Sequence, residues 1–227
     1  MLSTEPTACS DPLYFIAAPT PQLRAVVSEQ RSILAAADFG ELVATLRQVF
    51  DQYTAALWDA APGKERARVL HGLIEQSFAA AAGVAGSCRK GCCGCCHCEV
   101  EITADEAEVL RAEVAGGTII DRHRLRTQAL RERKSPEWGK FWSRDNQCVF
   151  LGSDGACQVY ANRPSACRKL IVTTPATACT TSGATVAPLR VLLAEVALSA
   201  ALSLPGASVG SLSRMLDPLL PALAVAG

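Results

Sequence analysis

Through the first third of the chain, apolar residues recur at steps of three and four, which is the spacing of one face of an α-helix. One run places five such side chains on a single face: Leu42, Leu46, Val49, Tyr53 and Leu57. Pro62 and Gly63 precede a second run and mark the start of another helix. We therefore expect residues 22–85 to be helical and to pack into a core, after an irregular, proline-bearing segment over residues 1–21.

Shorter elements are predicted further along the chain. Val100 and Ile102 flank Glu101 in the alternating pattern that is typical of a strand. Thr103 and Glu106 have the spacing of a capping box. A helix should therefore begin at the next residue after the threonine and continue to about residue 115, where two glycines end it.

Three more helices are expected. The first covers residues 119–134 and is strongly basic, and we interpret it as a solvated face rather than as a substrate or partner surface. Its basic residues are Arg122, Arg124, Arg126, Arg131, Arg133 and Lys134. The other two lie in residues 182–227, are interrupted near Pro205 and Gly206, and should pack on the first helices.

These patterns predict a mostly α fold, in which a helical bundle wraps a small irregular module over residues 86–181. We expect one compact domain overall. The 227 residues are 49% hydrophobic, which is enough for a core without disulfide staples. The 22 basic and 22 acidic residues give a net charge of +0, so no nucleic-acid or membrane partner is indicated. No secretory leader is recognised, and charges break the best apolar run, so we expect a soluble cytoplasmic protein.

The 11 cysteines are the most unusual feature of the composition. Six form an opening block, Cys88, Cys92, Cys93, Cys95, Cys96 and Cys98, and four follow later, Cys148, Cys157, Cys167 and Cys179. In a reducing compartment such clusters usually bind metal or carry out redox chemistry. Crowded thiolates repel one another, so bound cations and nearby basic side chains are needed. The flanking basic residues are Arg89, Lys90, Arg163, Arg168 and Lys169.

The surroundings of the later cysteines predict how they are presented. Cys148 and Cys157 lie on two short apolar segments joined by a Gly-Ser-Asp-Gly turn, which predicts a short β-hairpin. Asn162 is expected to cap a helix that has Pro164 in its first turn. Cys167 would then lie near a helix N-terminus, where the pKa of a thiol is lowered.

The ordered motifs "CRKGCCGCCHCEVEITADEAEVL", "CVFL" and "CQVYANRPSACR" resemble the YkgJ-type cysteine-cluster family of zinc- or iron-chelating proteins. Flagellin N-methylase carries a similar cluster. The resemblance implies eight metal ligands: Cys88, Cys92, Cys95, Cys96, Cys148, Cys157, Cys167 and Cys179. Cys9, Cys93 and Cys98 fall outside the family pattern and are expected to be spare. His97 and His123 are alternative ligands that could replace a thiol.

Eight thiols suffice for two zinc sites or for one iron–sulfur cluster with additional cysteines. The spacing of Cys88, Cys92 and Cys95 also matches the radical S-adenosylmethionine motif. Gly94 stands where that motif commonly has an aromatic residue, and the strand–helix units of its usual barrel are not seen. An open iron in a different fold is left as an alternative.

Three functional hypotheses remain open, and they differ in whether the protein is an enzyme. The first is a metal-binding protein with a cysteine-ligated zinc or iron–sulfur centre. The second, implied by the resemblance, is an S-adenosylmethionine-dependent protein lysine N-methylase. The third is a metal chaperone or sensor, and the expected partner is a protein substrate or a metal-delivery partner. Arg163 and Arg168 are candidate cofactor-binding residues, and we favour Arg168 as the one that tunes the centre.

Overall fold

The computed structural model describes residues 11–81, 86–89, 91–139 and 142–221. Within these ranges the chain is mostly helical, as predicted, with two small antiparallel sheets. The helices are α1 (Pro21–Ile33), α2 (Ala36–Asp59), α3 (Lys64–Ala80), α4 (Ala104–Ala115), α5 (Arg122–Ala129), α6 (Ser165–Lys169), α7 (Leu192–Ser203) and α8 (Leu212–Leu216). The strands are β1 (Glu101–Thr103), β2 (Ile171–Val172), β3 (Pro188–Leu189) and β4 (Val209–Ser211).

The helices α1, α2, α3 and α7 form a bundle around one hydrophobic core. Leu46 and Leu57 of α2 are buried in this core, and the other residues of the predicted apolar face pack against it. The N-terminus of α1 is capped by Thr20, whose Oγ1 accepts a hydrogen bond from the amide of Leu23 at 3.1 Å. The helical periodicity of the first third therefore identified the bundle correctly.

A second core belongs to the cysteine module, and it is built by β1, α4, α5 and α8 with the segment that follows Cys148. Its most buried members include Leu110, Leu125 and Phe150. The chain returns to this core at its end, because β4 pairs with β1 and α8 packs on α4 and α5. Of the two helices expected to pack on the first helices, only α7 does so, while α8 packs on the module.

The predicted capping box is confirmed at the start of α4. Thr103 Oγ1 accepts from the Glu106 amide at 3.2 Å, and the Thr103 amide donates to Glu106 Oε2 at 2.9 Å. The helix ends at Gly116, and Gly117 adopts a φ of +105° that a side chain would disfavour. Gly206, with a φ of +76°, likewise lies in the predicted break after α7.

The basic helix expected over residues 119–134 is wrong in its length. The structure has only α5, which begins after Asp121 because its Oδ1 accepts from the Arg124 amide at 2.8 Å. The chain turns away after Ala129, and Lys134 has a φ of +59°. Local partners engage the arginines of this segment: Arg122 with the carbonyl of Pro221, Arg124 with Asp121, Arg126 with Asp217, Arg131 with Glu137, and Arg133 with Glu101. Each of these five arginines thus has a partner within the described part of the chain.

The predicted hairpin is reduced to a tight turn with one β-bridge, between Leu151 and Cys157. The amide of Gly152 donates to the carbonyl of Ala156 at 2.9 Å, and Gly155 has a φ of +73°. The regular strand pairs of the described residues lie elsewhere, as β1 with β4 and β2 with β3. Among the described helices, none combines the length and the apolar character needed to cross a membrane.

Candidate metal centre

Seven cysteines line one cavity of about 70 Å³ in the module: Cys88, Cys92, Cys95, Cys96, Cys148, Cys157 and Cys167. Four come from the opening block and three from the later one, so the two blocks converge in space as predicted. Phe150 and Val159, which belong to the second hydrophobic core, form part of the same wall. Thiols thus face one another in a pocket backed by apolar side chains.

The opening block is shaped by a short 3₁₀ turn over Gly94–His97. The carbonyl of Cys96 in this turn accepts a hydrogen bond from the amide of Cys148 at 2.7 Å. This backbone contact joins the opening block to the later cysteines. The glycine turn then returns the chain, so that the amide of Gln158 donates to the carbonyl of Phe150 at 2.9 Å and Cys157 comes to the cavity.

Cys167 reaches the cavity from α6. This helix begins at Ser165 with Pro164 as its cap, so the expectation that Asn162 caps it is wrong. Asn162 instead donates from Nδ2 to Glu113 Oε1 at 2.7 Å. The pKa of Cys167 is raised well above its ordinary value, mainly by burial and then by the neighbouring thiols, rather than lowered as expected. A helix of five residues has too small a dipole to offset this burial.

Cys179 lies beside the cavity and not in its lining. It packs directly on Gly94, since a Cβ added to the glycine would lie 2.5 Å from Cys179 Cβ. Burial raises the pKa of the Cys179 thiol, and the nearby thiols of Cys92 and Cys88 raise it further. Cys88 is fixed on the same side, where its Sγ accepts from the amide of Val172 at 3.4 Å.

Cys95 has a thiol whose pKa is lowered. The Cys96 thiol donates a hydrogen bond to it, and this lowers the pKa of Cys95 to about 7 despite burial. The same contact raises the pKa of Cys96, and burial raises the pKa of Cys148 to about 11. Burial and the neighbouring thiols thus oppose ionisation of Cys148 and Cys167, and a bound cation would favour it.

The donor set fits a thiophilic metal group. Buried sulfur ligands suit zinc or an iron–sulfur cluster, and a bound cation would drive the remaining thiols to ionise. Within the described residues, no three Cys, His, Asp or Glu side chains already surround a common metal position. The backbone brings the cysteines of both blocks to one cavity.

Arg163 borders the thiols, and Arg168 does not. The guanidinium of Arg163 lines the cavity and stacks over the ring of Tyr160, with 4.4 Å between its Cζ and the ring centroid. Burial raises the pKa of Cys157, and the charge of Arg163 opposes that rise. Arg168 Nε donates to the carbonyl of Arg163 at 2.8 Å, and its other nitrogens contact Glu75 and the carbonyl of Ala161. Arg163 is therefore the better placed of the two to act on a bound group.

The remaining candidates lie outside the cavity wall. His97 Nδ1 is 3.3 Å from the carbonyl of Cys93, and the ring stacks on Trp142 with centroids 4.3 Å apart. Cys98 lines a separate small cavity that it shares with Trp138. His123 belongs to α5, away from the cavity lining. Cys9 and Lys90 lie outside the described residues.

Comparison with known protein families gives a match in the cysteine module. Residues 87–180 match the family model CxxCxxCC, described as "Putative zinc- or iron-chelating domain". This match confirms the resemblance to a cysteine-cluster family and supports metal binding by the module. Searches of curated proteins and of solved structures found no match. The matched region contains all the cysteines of the cavity but not the helices α1–α3, α7 and α8.

Proposed function

We propose that this protein binds metal through a cysteine-ligated centre, built in the cavity between the opening and later cysteine blocks. The observation that carries the proposal is the convergence of seven cysteines on one cavity. Thiols are the usual ligands of structural zinc and of iron–sulfur clusters. The match to a zinc- or iron-chelating family supports the same conclusion.

The number of thiols points to a centre with more than one metal ion. One zinc ion takes about four ligands, whereas the cavity offers seven cysteines and Cys179 lies next to it. Two zinc ions or one iron–sulfur cluster would use this set better than a single zinc ion. Zinc would add rigidity to the module, and an iron–sulfur cluster would add electron transfer. Because such thiols persist in a reducing compartment, the proposal places the protein in the cytoplasm.

Anaerobic purification followed by metal analysis and a visible absorption spectrum tests this function. We expect about two or more metal ions per chain, given about four ligands for each zinc ion. A brown protein with broad visible absorption identifies an iron–sulfur cluster, and a colourless protein that contains zinc identifies a zinc centre. Protein that is folded and reduced but takes up neither metal on reconstitution would contradict the proposal.

A protein lysine N-methylase that uses S-adenosylmethionine is the second candidate, and the position of Arg163 is the observation that favours it. A guanidinium beside a metal centre is suited to bind the carboxylate of that cofactor. Calorimetric titration of S-adenosylmethionine into the metal-loaded protein and into its Arg163→Gln variant tests this role. Binding that is lost in the variant while the metal is retained supports an enzyme with a protein substrate. Absence of binding to the unmodified protein, with rapid metal loss to a chelator, favours a chaperone that meets a metal-delivery partner.

A further inference from the structure

Glu106 is a buried carboxylate at the junction of the bundle and the cysteine module, with an exposed fraction of 1%. Its Oε2 accepts from the amide and the hydroxyl of Thr103, at 2.9 and 3.1 Å. Its Oε1 lies 3.1 Å from Nε2 of His71 on α3 and accepts from the amide of Ser165 at 2.5 Å. One side chain thereby connects α3, the start of α4 and the start of α6.

The contact with Ser165 fixes the segment that carries two site residues. Arg163 lies two residues before Ser165 and Cys167 two residues after it, and both line the metal cavity. Pro164 lacks an amide hydrogen, so the Ser165 amide is the first backbone donor of α6. Glu106 holds that donor and so determines where the helix begins.

Arg168 is a second anchor for the same segment. Its Nε donates to the carbonyl of Arg163 at 2.8 Å, and another of its nitrogens contacts the carbonyl of Ala161. The third guanidinium nitrogen of Arg168, Nη1, forms an ion pair with Glu75 of α3. Because Arg168 is buried, with an exposed fraction of 7%, its guanidinium group is fixed in position rather than free in solvent.

Both Glu106 and Arg168 connect the start of α6 to one face of α3. His71 and Glu75 are four residues apart, so they lie one above the other on the helix. His71 contacts Glu106, which contacts Ser165, while Glu75 contacts Arg168 directly. The helix α3 precedes the region that matches the chelating family, and it nevertheless supplies the far end of both connections.

We propose that Glu106 and Arg168 are positioning residues, which fix the Arg163–Cys167 segment against α3 and so determine how Cys167 meets the other cysteines. The inference rests on the proposed metal-binding function for its consequence, but the positioning itself is a property of the metal-free chain. It gives the bundle a role in the site that the chelating module alone does not explain.

A positioning role makes a different prediction from ordinary packing. Loss of ordinary packing would lower the stability of the whole chain and expose all buried cysteines together. Loss of positioning would release α6 and change the reactivity of Cys167, while Cys148 stays fixed by its bond to the opening block. The comparison of Cys167 with Cys148 in the same molecule therefore separates the two roles.

The test uses the full chain with Glu106→Gln and with Arg168→Lys. Glutamine has the shape of glutamate, but its amide group turns a donor toward the Thr103 or the Ser165 donors. Lysine keeps the positive charge but lacks the planar guanidinium that donates several hydrogen bonds at once. Glu108→Gln is the matched control, because Glu108 is a neighbouring carboxylate on α4 that pairs with Arg111 at the surface. Circular dichroism checks that each variant is folded.

Two quantities are measured on each folded variant. The first is the alkylation rate of Cys167 relative to Cys148 in metal-free, reduced protein, followed by mass spectrometry. The second is the affinity for zinc in a chelator competition. In the two variants we expect the relative rate to rise and the zinc affinity to fall by about 10- to 100-fold, the usual cost of losing a partner that orients a ligand. Glu108→Gln should match the unmodified protein in its relative alkylation rate and in its zinc affinity.

Equal alkylation ratios and equal affinities in variant and unmodified protein would overturn the inference, and so would a uniform increase at every cysteine. If Glu106→Gln does not fold, the result for Arg168→Lys decides. If the unmodified protein binds no metal and the ratio still rises in the variants, the positioning is upheld and the proposed metal-binding function fails. The two claims can thus be rejected separately.

Discussion

The amide of Cys148 donates to the carbonyl of Cys96 at 2.7 Å, which joins two cysteine blocks that lie far apart in the sequence. Because this bond is made by the backbone, it brings the thiols together without using any thiol. The backbone contact, the glycine turn and α6 together bring the cysteines of both blocks to the cavity.

Substitution of single cysteines should separate ligands from spare thiols. We expect Cys167→Ser and Cys92→Ser to weaken metal retention by more than ~10-fold, because a lost ligand costs more than a lost outer partner. Cys98→Ser is the matched control, since Cys98 is outside the cavity lining. Metal content after chelator competition measures the effect. Metal loss in Cys98→Ser, or retention in Cys167→Ser, would mean that the ligand set is assigned wrongly.

Gly94→Ala should disturb the contact between the opening block and Cys179. The added Cβ would lie 2.5 Å from Cys179 Cβ and 2.8 Å from its carbonyl oxygen, so one segment must move. We expect a loss of about 1–3 kcal/mol in the free energy of unfolding, as for other overpacked sites. Gly72→Ala is the control, because its Cβ meets nothing within 4 Å and alanine favours a helix by ~0.5–1 kcal/mol. Denaturant unfolding measures the free energy of unfolding of both variants. A Gly94→Ala variant as stable as the unmodified protein would contradict the close packing.

Arg163→Gln should weaken the centre without unfolding the module. The guanidinium lines the cavity, and removal of its charge leaves the thiolates less compensated. We expect metal affinity to fall by about 10-fold, the lower end of the usual outer-shell effect. Arg126→Gln is the control, because this arginine pairs with Asp217 across 3.9 Å and is not in the cavity wall. Equal metal affinity in both variants would exclude an electrostatic role for Arg163.

Glu106 should make the stability of the metal-free protein depend on pH in the acid range. Burial raises the pKa of Glu106, but hydrogen bonds from His71, Ser165 and Thr103 outweigh it and leave the pKa below its ordinary value of 4.5. A lowered pKa means that the folded state binds the proton less readily than the unfolded state. This stabilisation is therefore present above pH ~4.5 and lost as the pH falls through the lower, folded value.

The measurement is the free energy of unfolding at several pH values, for unmodified protein and for Glu106→Gln. The difference between the two should be largest near neutral pH and should shrink on acidification, because glutamine does not titrate. Glu108→Gln provides the control curve for a partly exposed carboxylate. A difference that is constant with pH would show that folding does not change the pKa of Glu106.

The sequence predicted those features that depend on neighbouring residues. The capping box of Thr103 and Glu106 predicted the start of α4, Gly116 and Gly117 predicted its end, and the periodicity around Leu46 and Leu57 identified the bundle. Cysteine spacing predicted the module and the convergence of the two cysteine blocks, because cysteines clustered in this way usually serve one site.

Tertiary contacts decided the features that the sequence did not predict. The sequence predicts Glu106 as the partner of Thr103 in the capping box, but its Oε1 also accepts from the amide of Ser165, a contact distant in the chain that no local pattern predicts. The pKa of Cys167 was expected to be low from its place in a helix, whereas burial among other thiols raises it. The sequence favours Arg168 as the residue that tunes the centre, whereas in the fold Arg163 lines the cavity and Arg168 faces α3.

A crystal structure of the metal-loaded protein, with anomalous scattering at the absorption edge of the metal, would show which thiols bind the metal. We expect anomalous peaks inside the cavity, with sulfur ligands at about 2.3 Å for zinc. Those ligands should come from both blocks, including Cys95 or Cys96 and at least one of Cys148, Cys157 and Cys167. A metal held by the opening block alone, or one bound outside the cavity, would contradict this expectation.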